Sequence, residues 1–285
     1  MMVVTAEQKE RSRVSKEEWR EYTKTVWHIA NVSDPDHPAV FPIEIPRRFI
    51  KLFSFHGERV LDPFSGIGTT AKAAAELGRS ALCVDQNKRY VTRMLRDKAA
   101  LNGSGDLLDV RLGDARSALH DVPDNSIGAA ITSPPYWNKA DYGRGKSNLG
   151  NIASYPEFIR SLRPVFEEVF RVLATGRKFG VVTANVNQHT DHGLLTFPLA
   201  TDLVLLLRDI GFVLINEIIW SKDATGGKWG SSGQQRPIFG SYPFPPNFLF
   251  KNVHEYVIVV AKPPTSKSKG KTVVPYADLM ELTAP

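Results

Sequence analysis

The segment of this sequence best suited to chemistry is Ser-Pro-Pro-Tyr, which directly follows an apolar run at 127–132. The five residues after that run include no acid, histidine or cysteine, so the segment supplies neither a carboxylate or imidazole for proton transfer nor a thiol nucleophile. It offers a hydroxyl on Ser133, a backbone carbonyl on Pro134 and an aromatic ring on Tyr136. Pro134 and Pro135 fix an extended path that makes this carbonyl available as an acceptor. The segment is therefore suited to positioning a planar group that carries N–H donors.

Acidic residues end three other apolar runs of the sequence. Asp62 and Asp85 close two of them, and Asp114 follows the third after one glycine. In an open α/β sheet the carboxyl ends of the strands share a crevice, and ligands bind there. Asp85 lies 23 residues beyond Asp62. That spacing is typical of an acid that accepts hydrogen bonds from ribose hydroxyls, and the alternative is an acid that only closes a turn.

The loop after the first of these runs reads Asp-Pro-Phe-Ser-Gly-Ile-Gly-Thr-Thr. Gly66 and Gly68 permit a tight turn and close approach of a ligand to the backbone, while Thr69 and Thr70 suit the start of a helix. The loop lacks the third glycine of the dinucleotide fingerprint, and no Gly-Lys-Ser/Thr sequence follows it. A nucleotide-dependent dehydrogenase and a phosphate-binding P-loop are therefore both disfavoured.

Strand-like and helix-like segments alternate along the chain, which predicts an α/β fold with a doubly wound, mainly parallel sheet. The predicted strands lie at 60–61, 81–84, 110–112, 127–132, 179–183, 212–220 and 256–261. The predicted helices lie at 47–53, 69–77, 88–101, 155–173 and 197–210. A capping-box sequence that begins at Ser15, followed by Trp19, Tyr22 and Val26 at helical spacing, indicates a further N-terminal helix.

Size and composition indicate a soluble protein with an anionic partner. The 285 residues are 42% hydrophobic, which suffices for one principal domain with a large core. No apolar run approaches membrane-spanning length, and the single cysteine, Cys83, fits a reducing compartment, so we expect a cytoplasmic protein that has no membrane partner. The net charge of +6 favours nucleic acid as the partner.

Taken together, these features resemble a known family. DPFSGIGTT, the acids of CVDQN and LGDA, and TSPPYW resemble motifs I, II, III and IV of the amino-methylating DNA methyltransferases. HPAVFP at 37–42 resembles motif X, and VFRVLATGRKFGVV, IIWSKD and HEYVIVVAKP resemble later regions of the same family. The resemblance extends over about residues 30–263. The motif I loop together with Ser-Pro-Pro-Tyr is far more specific than either motif alone.

The resemblance implies a Rossmann-like methyltransferase fold, with a seven-stranded sheet whose last strand runs antiparallel between its neighbours at one edge. It also implies S-adenosylmethionine as the cofactor. The residues that it assigns to cofactor binding are His37, Pro38, Phe41, Asp62, Phe64, Ser65, Gly66, Gly68, Thr69, Thr70, Asp85 and Asp114. The residues that it assigns to catalysis are Ser133, Pro134, Pro135 and Tyr136.

In that family the Ser-Pro-Pro-Tyr segment serves a specific chemistry. The exocyclic amino group of cytosine or adenine is a poor nucleophile because its lone pair is conjugated with the ring. Ser133 and the Pro134 carbonyl can accept its N–H groups and turn the lone pair towards the sulfonium methyl, in line with the leaving sulfur. The base must be flipped out of the duplex, and Tyr136 can stack on it, as could Trp137 and Tyr142. Serine at the first motif position favours cytosine N4 in double-stranded DNA, with adenine N6 as the alternative.

The cysteine and the two closely spaced histidines are not expected to take part in catalysis or in metal binding. Cys83 lies in an apolar strand before Asp85, so methylation of ring carbon five of cytosine through a thiolate is not expected. His189 and His192 have a spacing that can hold a metal, but no further cysteine or acidic cluster joins them, and we predict a polar loop there. We assign no metal and no general base, since nothing places Asp191 near the crevice.

The motif order X, I, IV is permuted, because Ser-Pro-Pro-Tyr enzymes of this family usually run motif IV first. We divide the chain into an N-terminal helical extension (1–30), a catalytic domain (31–263) and a tail (264–285), and we expect no large recognition domain. The loop 223–252 is therefore the candidate DNA-recognition segment. The candidate DNA-binding residues are Lys139, Arg144, Lys146, Trp229 and Arg236. Either the target site is short and is read by this loop, or a homodimer or partner subunit supplies further contacts with DNA. A cognate restriction endonuclease is a further expected partner.

Two other functions fit parts of the pattern. RNA guanine-N2 methyltransferases share a similar glycine loop and a Pro-Pro-Tyr motif, but they more often carry Asp or Asn where Ser133 stands, and usually an added RNA-binding domain. A catalytically inactive nucleic-acid-binding protein is expected to have lost at least one of Asp62, Asp85, Ser133 or Pro134, and all four are present. DNA methylation therefore remains the preferred interpretation.

Overall fold

The computed structural model describes residues 4–35, 37, 40–100, 107–137, 148–222, 241–250 and 252–264. Its helices are α1 (Ala6–Arg11), α2 (Lys16–Tyr22), α3 (Glu44–Phe53), α4 (Thr69–Glu76), α5 (Lys88–Ala100), α6 (Tyr155–Val172) and α7 (Leu199–Ile210). Its strands are β1 (Val26–His28), β2 (Arg59–Asp62), β3 (Ser80–Asp85), β4 (Leu108–Leu112), β5 (Ala129–Thr132), β6 (Lys178–Thr183), β7 (Val186–Thr190), β8 (Gly193–Phe197), β9 (Val213–Ser221) and β10 (His254–Ala261).

Within the described ranges the main sheet has eight strands, in the order β1-β9-β10-β6-β5-β2-β3-β4. β10 is antiparallel to both of its neighbours, and every other pair in this sheet is parallel. All seven predicted strands are present, and the antiparallel last strand lies between β6 and β9, as the resemblance implied. The Rossmann-like α/β fold is confirmed, and β1 adds an eighth strand that was not predicted.

The added edge strand corrects the prediction for the N-terminal segment. The capping box is present, since the Ser15 hydroxyl accepts a hydrogen bond from the Glu18 amide at 3.1 Å. The helix does not reach Val26, which pairs with Ile219 in β1 instead. Trp27 is fully buried between two exposed residues, which is the alternation of a strand with one buried face. Residues 1–30 are therefore not purely helical, because they contribute a strand to the main sheet.

Different helices cover the two faces of the sheet, as a doubly wound fold requires. α6 and α7 pack on one face, where Phe166 and Leu203 belong to the same buried cluster as Phe179 of β6. α3, α4 and α5 pack on the other face, with Phe49 of α3 in the second cluster. Gly180 of β6 permits this packing, because a Cβ there would lie 2.7 Å from Cε2 of Phe49. The carboxyl ends of the parallel strands are left to form the site.

A small hairpin made of β7 and β8 replaces the predicted polar loop. His189 lies in β7, while Asp191 and His192 form the exposed turn. Gly193 closes that turn with a φ of 93°, a value that favours glycine. Phe197 ends β8 instead of beginning a helix, and α7 starts two residues later. Across the described part of the chain, no group of three or more His, Cys, Asp or Glu residues is arranged to hold a metal ion.

None of the helices described here is both long and apolar enough to cross a membrane. Some of the predicted site residues lie outside the described residues, and their roles stay predictions. They are Pro38, Lys139, Arg144, Lys146, Trp229 and Arg236, together with the stacking candidate Tyr142. Most of the predicted C-terminal tail, residues 265–285, also lies outside the described ranges.

Candidate active site

One buried carboxylate links the carboxyl ends of β2 and β5. Asp62 is 1% exposed, and its oxygens accept hydrogen bonds from the hydroxyls of Thr70 and Thr132, each at 2.6 Å, and from the Phe64 amide at 3.1 Å. Burial raises the pKa of Asp62 to about 6. Neither Asp62 nor Thr70 lines the cleft, and the two are bonded to each other, so their predicted contact with the cofactor stays a prediction. They hold the loop that does line it.

Two glycines give the loop between β2 and α4 its shape. Gly66 has a φ of 50° and Gly68 a φ of 85°, both in the left-handed region that favours glycine. A Cβ on Gly66 would lie 2.7 Å from Nε2 of His37, so glycine lets the segment around His37 cross the loop closely. A Cβ on Gly68 would lie 2.8 Å from Cγ of Met94. Gly68 therefore serves the packing of α5 and, contrary to the prediction, does not line the cleft.

Asp85 ends β3 and lines the cleft, as predicted. Its Oδ2 accepts a hydrogen bond from the Gly66 amide at 2.7 Å, and its Oδ1 accepts one from the Asn87 amide at 2.8 Å. Each carboxylate oxygen can accept a second bond, so the pair can still receive two ligand hydroxyls. Burial raises the pKa of Asp85 to about 6, which leaves it ionised at neutral pH. Asp85 is thus equipped to accept hydrogen bonds from a diol.

Asp114 follows β4 and also lines the cleft. Its Oδ1 accepts hydrogen bonds from the backbone amide and from Nε of Arg116, both at 2.9 Å. The hydrogen-bonded guanidinium lowers the pKa of the Asp114 carboxyl. Asp114 is therefore an ionised acceptor at the rim, and Arg116 fixes its orientation.

A single cleft brings the predicted cofactor loop and motif IV together. The space that it encloses, open solvent included, is about 840 Å³. The predicted residues that line it are His37, Phe41, Phe64, Ser65, Gly66, Thr69, Asp85, Asp114, Ser133 and Pro135. Residues from four strand ends and from the segment before α3 thus face one space.

The side chains of motif IV alternate between the cleft and the interior. Ser133 and Pro135 line the cleft, whereas the side chains of Pro134 and Tyr136 are buried and do not line it. An extended segment sends successive side chains to opposite sides, which accounts for this split. Tyr136 is 8% exposed, and its hydroxyl donates to Oε2 of Glu255 at 2.9 Å. The predicted role of Pro134 lies in its backbone carbonyl, so it does not depend on where its side chain points.

Trp137 is a packing residue. Its Nε1 donates to the Ile152 carbonyl at 2.9 Å, and its ring meets those of Tyr155 and Phe197 edge-on, with centroids 5.0 and 4.6 Å away. It belongs to the buried core cluster of α6 and α7. The structure therefore gives no support to Trp137 as a stacking surface for a base, and it anchors the end of motif IV.

Cys83 was expected in the core, and this is confirmed. It is fully buried in β3, and burial raises the pKa of its thiol well above the ordinary value. A thiol in that state is not a nucleophile at neutral pH.

Sequence reasoning missed part of the cleft wall. Tyr90 lies against His37 with ring centroids 4.7 Å apart, and both rings line the cleft. Asn148 and Leu149 also line it, from the segment before α6. Tyr90 follows Asp85 by five residues, so its place in the first turn of α5 was a usable signal. Nothing in the local sequence around Asn148 indicated its position.

An ion pair connects the segment before α3 to helix α5. Nη1 and Nη2 of Arg93 donate to Oδ1 and Oδ2 of Asp34, each at 2.8 Å, which is a bidentate arrangement. Burial lowers the pKa of His37 to about 4, with Asp34 opposing and Arg93 reinforcing that shift. His37 is therefore neutral at pH 7.

These groups fit S-adenosylmethionine, the cofactor implied by the resemblance. The ionised Asp85 suits the ribose diol, and the rings of Phe41 and Tyr90 supply apolar contact. A neutral His37 places no positive charge beside a sulfonium. The chemistry of the lining therefore agrees with a nucleoside that carries a cationic side chain.

The family assignment comes from comparison with known proteins. A model of the DNA methylase family N6_N4_Mtase matches residues 2–96 and 127–281, which is most of the chain. Type II methyltransferase M.BglI of Bacillus subtilis is 39% identical over 84 residues, covering 29% of this chain and 24% of that protein. M.MjaI of Methanocaldococcus jannaschii is 42% identical over 83 residues, 27% of each chain. M.Cfr9I of Citrobacter freundii is 41% identical over 135 residues, 39% of this chain and 45% of that one. Each match spans less than half of the relative's length.

One solved structure shares the fold, and a second shows a more limited likeness. The [4+2]-cyclase SpnF aligns with a TM-score of 0.52 and 18% identity over 83% of this chain and 88% of that one, a likeness that concerns the fold alone. TTHA0409 of Thermus thermophilus, complexed with S-adenosyl-L-methionine, aligns with a TM-score of 0.40 and 28% identity over 60% of this chain and 64% of that one. The match to the family model confirms the resemblance and, with it, S-adenosylmethionine as the cofactor of the family. This chain belongs to the DNA methylase family N6_N4_Mtase.

Proposed function

We propose that this protein transfers a methyl group from S-adenosylmethionine to the exocyclic N4 amino group of cytosine in double-stranded DNA. The observation that carries the proposal is the shared cleft, which Ser133 and Pro135 line together with Gly66 and Asp85. A donor held at Asp85 and an amino group held at Ser133 meet in this one space, as direct transfer requires. Membership of the family supports the reaction class, and it is equally compatible with adenine N6.

The residues divide into those that hold the donor and those that orient the acceptor. When bound, S-adenosylmethionine supplies an electrophilic methyl group on a sulfonium. Asp85 accepts hydrogen bonds from the ribose, and the loop at Gly66 admits the donor close to the backbone. The Ser133 hydroxyl and the Pro134 carbonyl accept the two N–H bonds of the target amino group, which turns its lone pair towards the cleft. This orientation needs neither a thiolate nor a metal ion.

The choice of base depends on the residue at the first position of motif IV. Ser133 presents a small neutral hydroxyl, which is typical of the cytosine-N4 enzymes in the family that this chain resembles. Some adenine enzymes also carry Ser-Pro-Pro-Tyr, and the same two acceptors serve an adenine amino group. Adenine N6 is therefore the second candidate, and RNA guanine N2 ranks below both.

Recognition of DNA is assigned to the loop 223–252. Residues 241–250 are the described part of this loop, and they expose Tyr242, Phe244 and Phe250 to solvent. Aromatic side chains of this kind can stack on bases or fill a groove, which supports contact with DNA. Lys139, Arg144, Lys146, Trp229 and Arg236 remain the predicted DNA contacts. A second subunit, a cognate restriction endonuclease and a cytoplasmic location are further predictions of this function.

Identification of the methylated nucleoside tests the proposal. The purified protein is incubated with unmodified genomic DNA and S-adenosylmethionine that carries an isotopically labelled methyl group, and the digested nucleosides are separated by mass. We expect label in N4-methylcytosine, and none with Ser133→Ala at equal concentration. Label in N6-methyladenine would change the assigned target base to adenine and leave the proposed mechanism unchanged. Label in RNA alone would overturn the substrate class.

A further inference from the structure

A mostly buried ion pair contacts the tyrosine of motif IV. Nζ of Lys222 donates to Oε1 of Glu255, and the Tyr136 hydroxyl donates to Oε2 of the same carboxylate at 2.9 Å. The side chains of Lys222 and Glu255 are only 14% and 16% exposed. Lys222 also lies 4.4 Å from the ring centroid of Trp220, within the range of a cation–π contact. One carboxylate is thus shared between a cation and the tyrosine of motif IV.

The ion pair lies at the base of the candidate recognition loop. Lys222 directly follows β9 and Glu255 is the second residue of β10, so the two residues stand on the two stems of the loop 223–252. The Lys222 amide donates to the Val253 carbonyl at 2.8 Å, which closes the stems on each other. In the sheet, β10 is separated from β5 by β6 alone. The carboxylate therefore reaches past the end of β6 to the segment that follows β5.

Motif IV is also held by the residues that immediately precede and follow it. The Thr132 hydroxyl donates to Asp62 before the motif, and the Trp137 indole donates to Ile152 after it. Of these three anchors, the bond to Glu255 alone connects the motif to the stems of the recognition loop. A hydrogen bond to an ionised carboxylate is stronger than a neutral one, so this anchor is well placed to set the path between Ser133 and Tyr136.

We propose that Glu255 is a positioning residue for the target base, which acts by holding the Tyr136 hydroxyl and thereby the acceptors of motif IV. Lys222 keeps the carboxylate in place through their ion pair. The inference rests on the proposed methyl transfer. It predicts that loss of Glu255 lowers turnover on DNA while donor binding at Asp85 is unchanged, because a small misplacement of reacting groups lowers the rate.

A double-mutant cycle on Tyr136→Phe and Glu255→Ala tests the proposal. Each single variant is expected to lower kcat on duplex DNA by about tenfold, the scale of one hydrogen bond to a charged group, with the Kd for S-adenosylmethionine within about twofold of wild type. The double variant is expected to be no slower than the slower single variant, because both changes remove the same bond. Matched controls are Tyr155→Phe, whose hydroxyl bonds Asp202 at 2.5 Å, and Glu168→Ala, whose side chain is 17% exposed and paired with Arg171.

A kcat of Glu255→Ala equal to that of the wild type overturns the proposal. It is also overturned if the double variant loses kcat by the product of the two single losses. If Glu255→Ala does not fold, Tyr136→Phe and Tyr155→Phe are compared on a duplex with 2-aminopurine next to the target cytosine, whose fluorescence rises when the cytosine leaves the stack. Only Tyr136→Phe should reduce that rise, and equal effects of the two variants contradict the positioning role. A wild-type protein that methylates no DNA refutes the proposed function itself, which keeps the two failures apart.

Discussion

The two halves of the cleft are held together in different ways. On the donor side, Asp62 bonds Thr70, eight positions away, and Asp85 bonds Gly66, nineteen positions away, all within the unit β2–α4–β3. On the acceptor side, the Tyr136 hydroxyl depends on Glu255, 119 positions away on the last strand. The bonds within the motif I loop are thus local, apart from the Asp62–Thr132 bond to β5, whereas the anchor of Tyr136 on Glu255 requires the last strand of the sheet. Changes near β10 should therefore impair methyl transfer and spare donor binding.

The largest effect is expected from the carboxylate that organises the donor half. Asp62→Ala leaves the hydroxyls of Thr70 and Thr132 without their acceptor and removes one of the two acceptors of the Phe64 amide, which should lower the free energy of unfolding by about 3 kcal/mol or more and abolish donor binding. Urea unfolding and calorimetric titration measure the two effects. Asp109→Ala is the control, because its partly exposed ion pairs with Arg59 and Arg111 should each contribute less than about 1 kcal/mol. Equal stability of Asp62→Ala and wild type would refute the role given to this carboxylate.

Changes in motif IV should show the opposite pattern, with a lower rate of methyl transfer and unchanged binding of the donor. Pro134→Ala relaxes the extended path that presents the carbonyl acceptor, so kcat on DNA should fall by about tenfold to a hundredfold, or about 2 kcal/mol. The Kd for S-adenosylmethionine should remain that of the wild type, since the cleft lining at Asp85 is untouched. Initial rates at saturating donor and DNA check this. A variant that loses donor affinity in proportion to its rate contradicts the division between the two halves.

Asp85 should show a comparable loss that is confined to binding. Asp85→Ala removes the acceptor for the ribose hydroxyls, which should weaken donor binding by about 1–3 kcal/mol. It also removes the partner of the Gly66 amide, so Asp85→Asn, which keeps one oxygen acceptor, is a useful second variant. Calorimetry at pH 7.5 measures the affinities. An unchanged Kd in both variants is incompatible with a ribose contact at this position.

The smallest effect is a pH dependence in which affinity and stability move in opposite directions. Burial raises the pKa of Asp85 to about 6, so the ionised acceptor is lost as the pH falls through that value. Donor affinity should drop by about twofold between pH 8 and pH 6 and further below it. Because the folded state binds this proton more tightly than the unfolded chain, the contribution of Asp85 to stability should rise over the same interval. Titrations and urea unfolding of wild type and Asp85→Asn separate the two trends, and a flat affinity profile in the wild type would argue against the ionised acceptor.

The donor half could be predicted from the sequence because its determinants are local. Gly66 and Gly68 adopt the left-handed conformations that the motif I loop requires, and Asp85 stands at a strand end because the apolar run before it forms β3. The pattern of residue types did not show that the Asp62 oxygens bond Thr70, Thr132 and the Phe64 amide. Tyr90 lies only five residues after Asp85, so its place in the cleft wall could have been predicted from the sequence.

The acceptor half could be predicted only in part, because its contacts join distant segments. The extended path of motif IV was predicted, but the bond from Tyr136 to Glu255 depends on β10 lying between β6 and β9. The eighth strand was missed for a similar reason. Val26 continues the helical spacing of the preceding residues, and pairing with Ile219 overrides that local preference.

The central claim is that the donor half is complete in the free protein and binds S-adenosylmethionine without DNA. Calorimetric titration of the wild-type protein with S-adenosylmethionine, with no DNA present, tests this claim most directly. The account predicts a saturable isotherm with one site per chain, because the loop at Gly66, the carboxylate of Asp85 and the ring of Tyr90 already line one cleft. A protein that folds cooperatively and yet shows no saturable binding would contradict the assignment of the cleft and the function built on it.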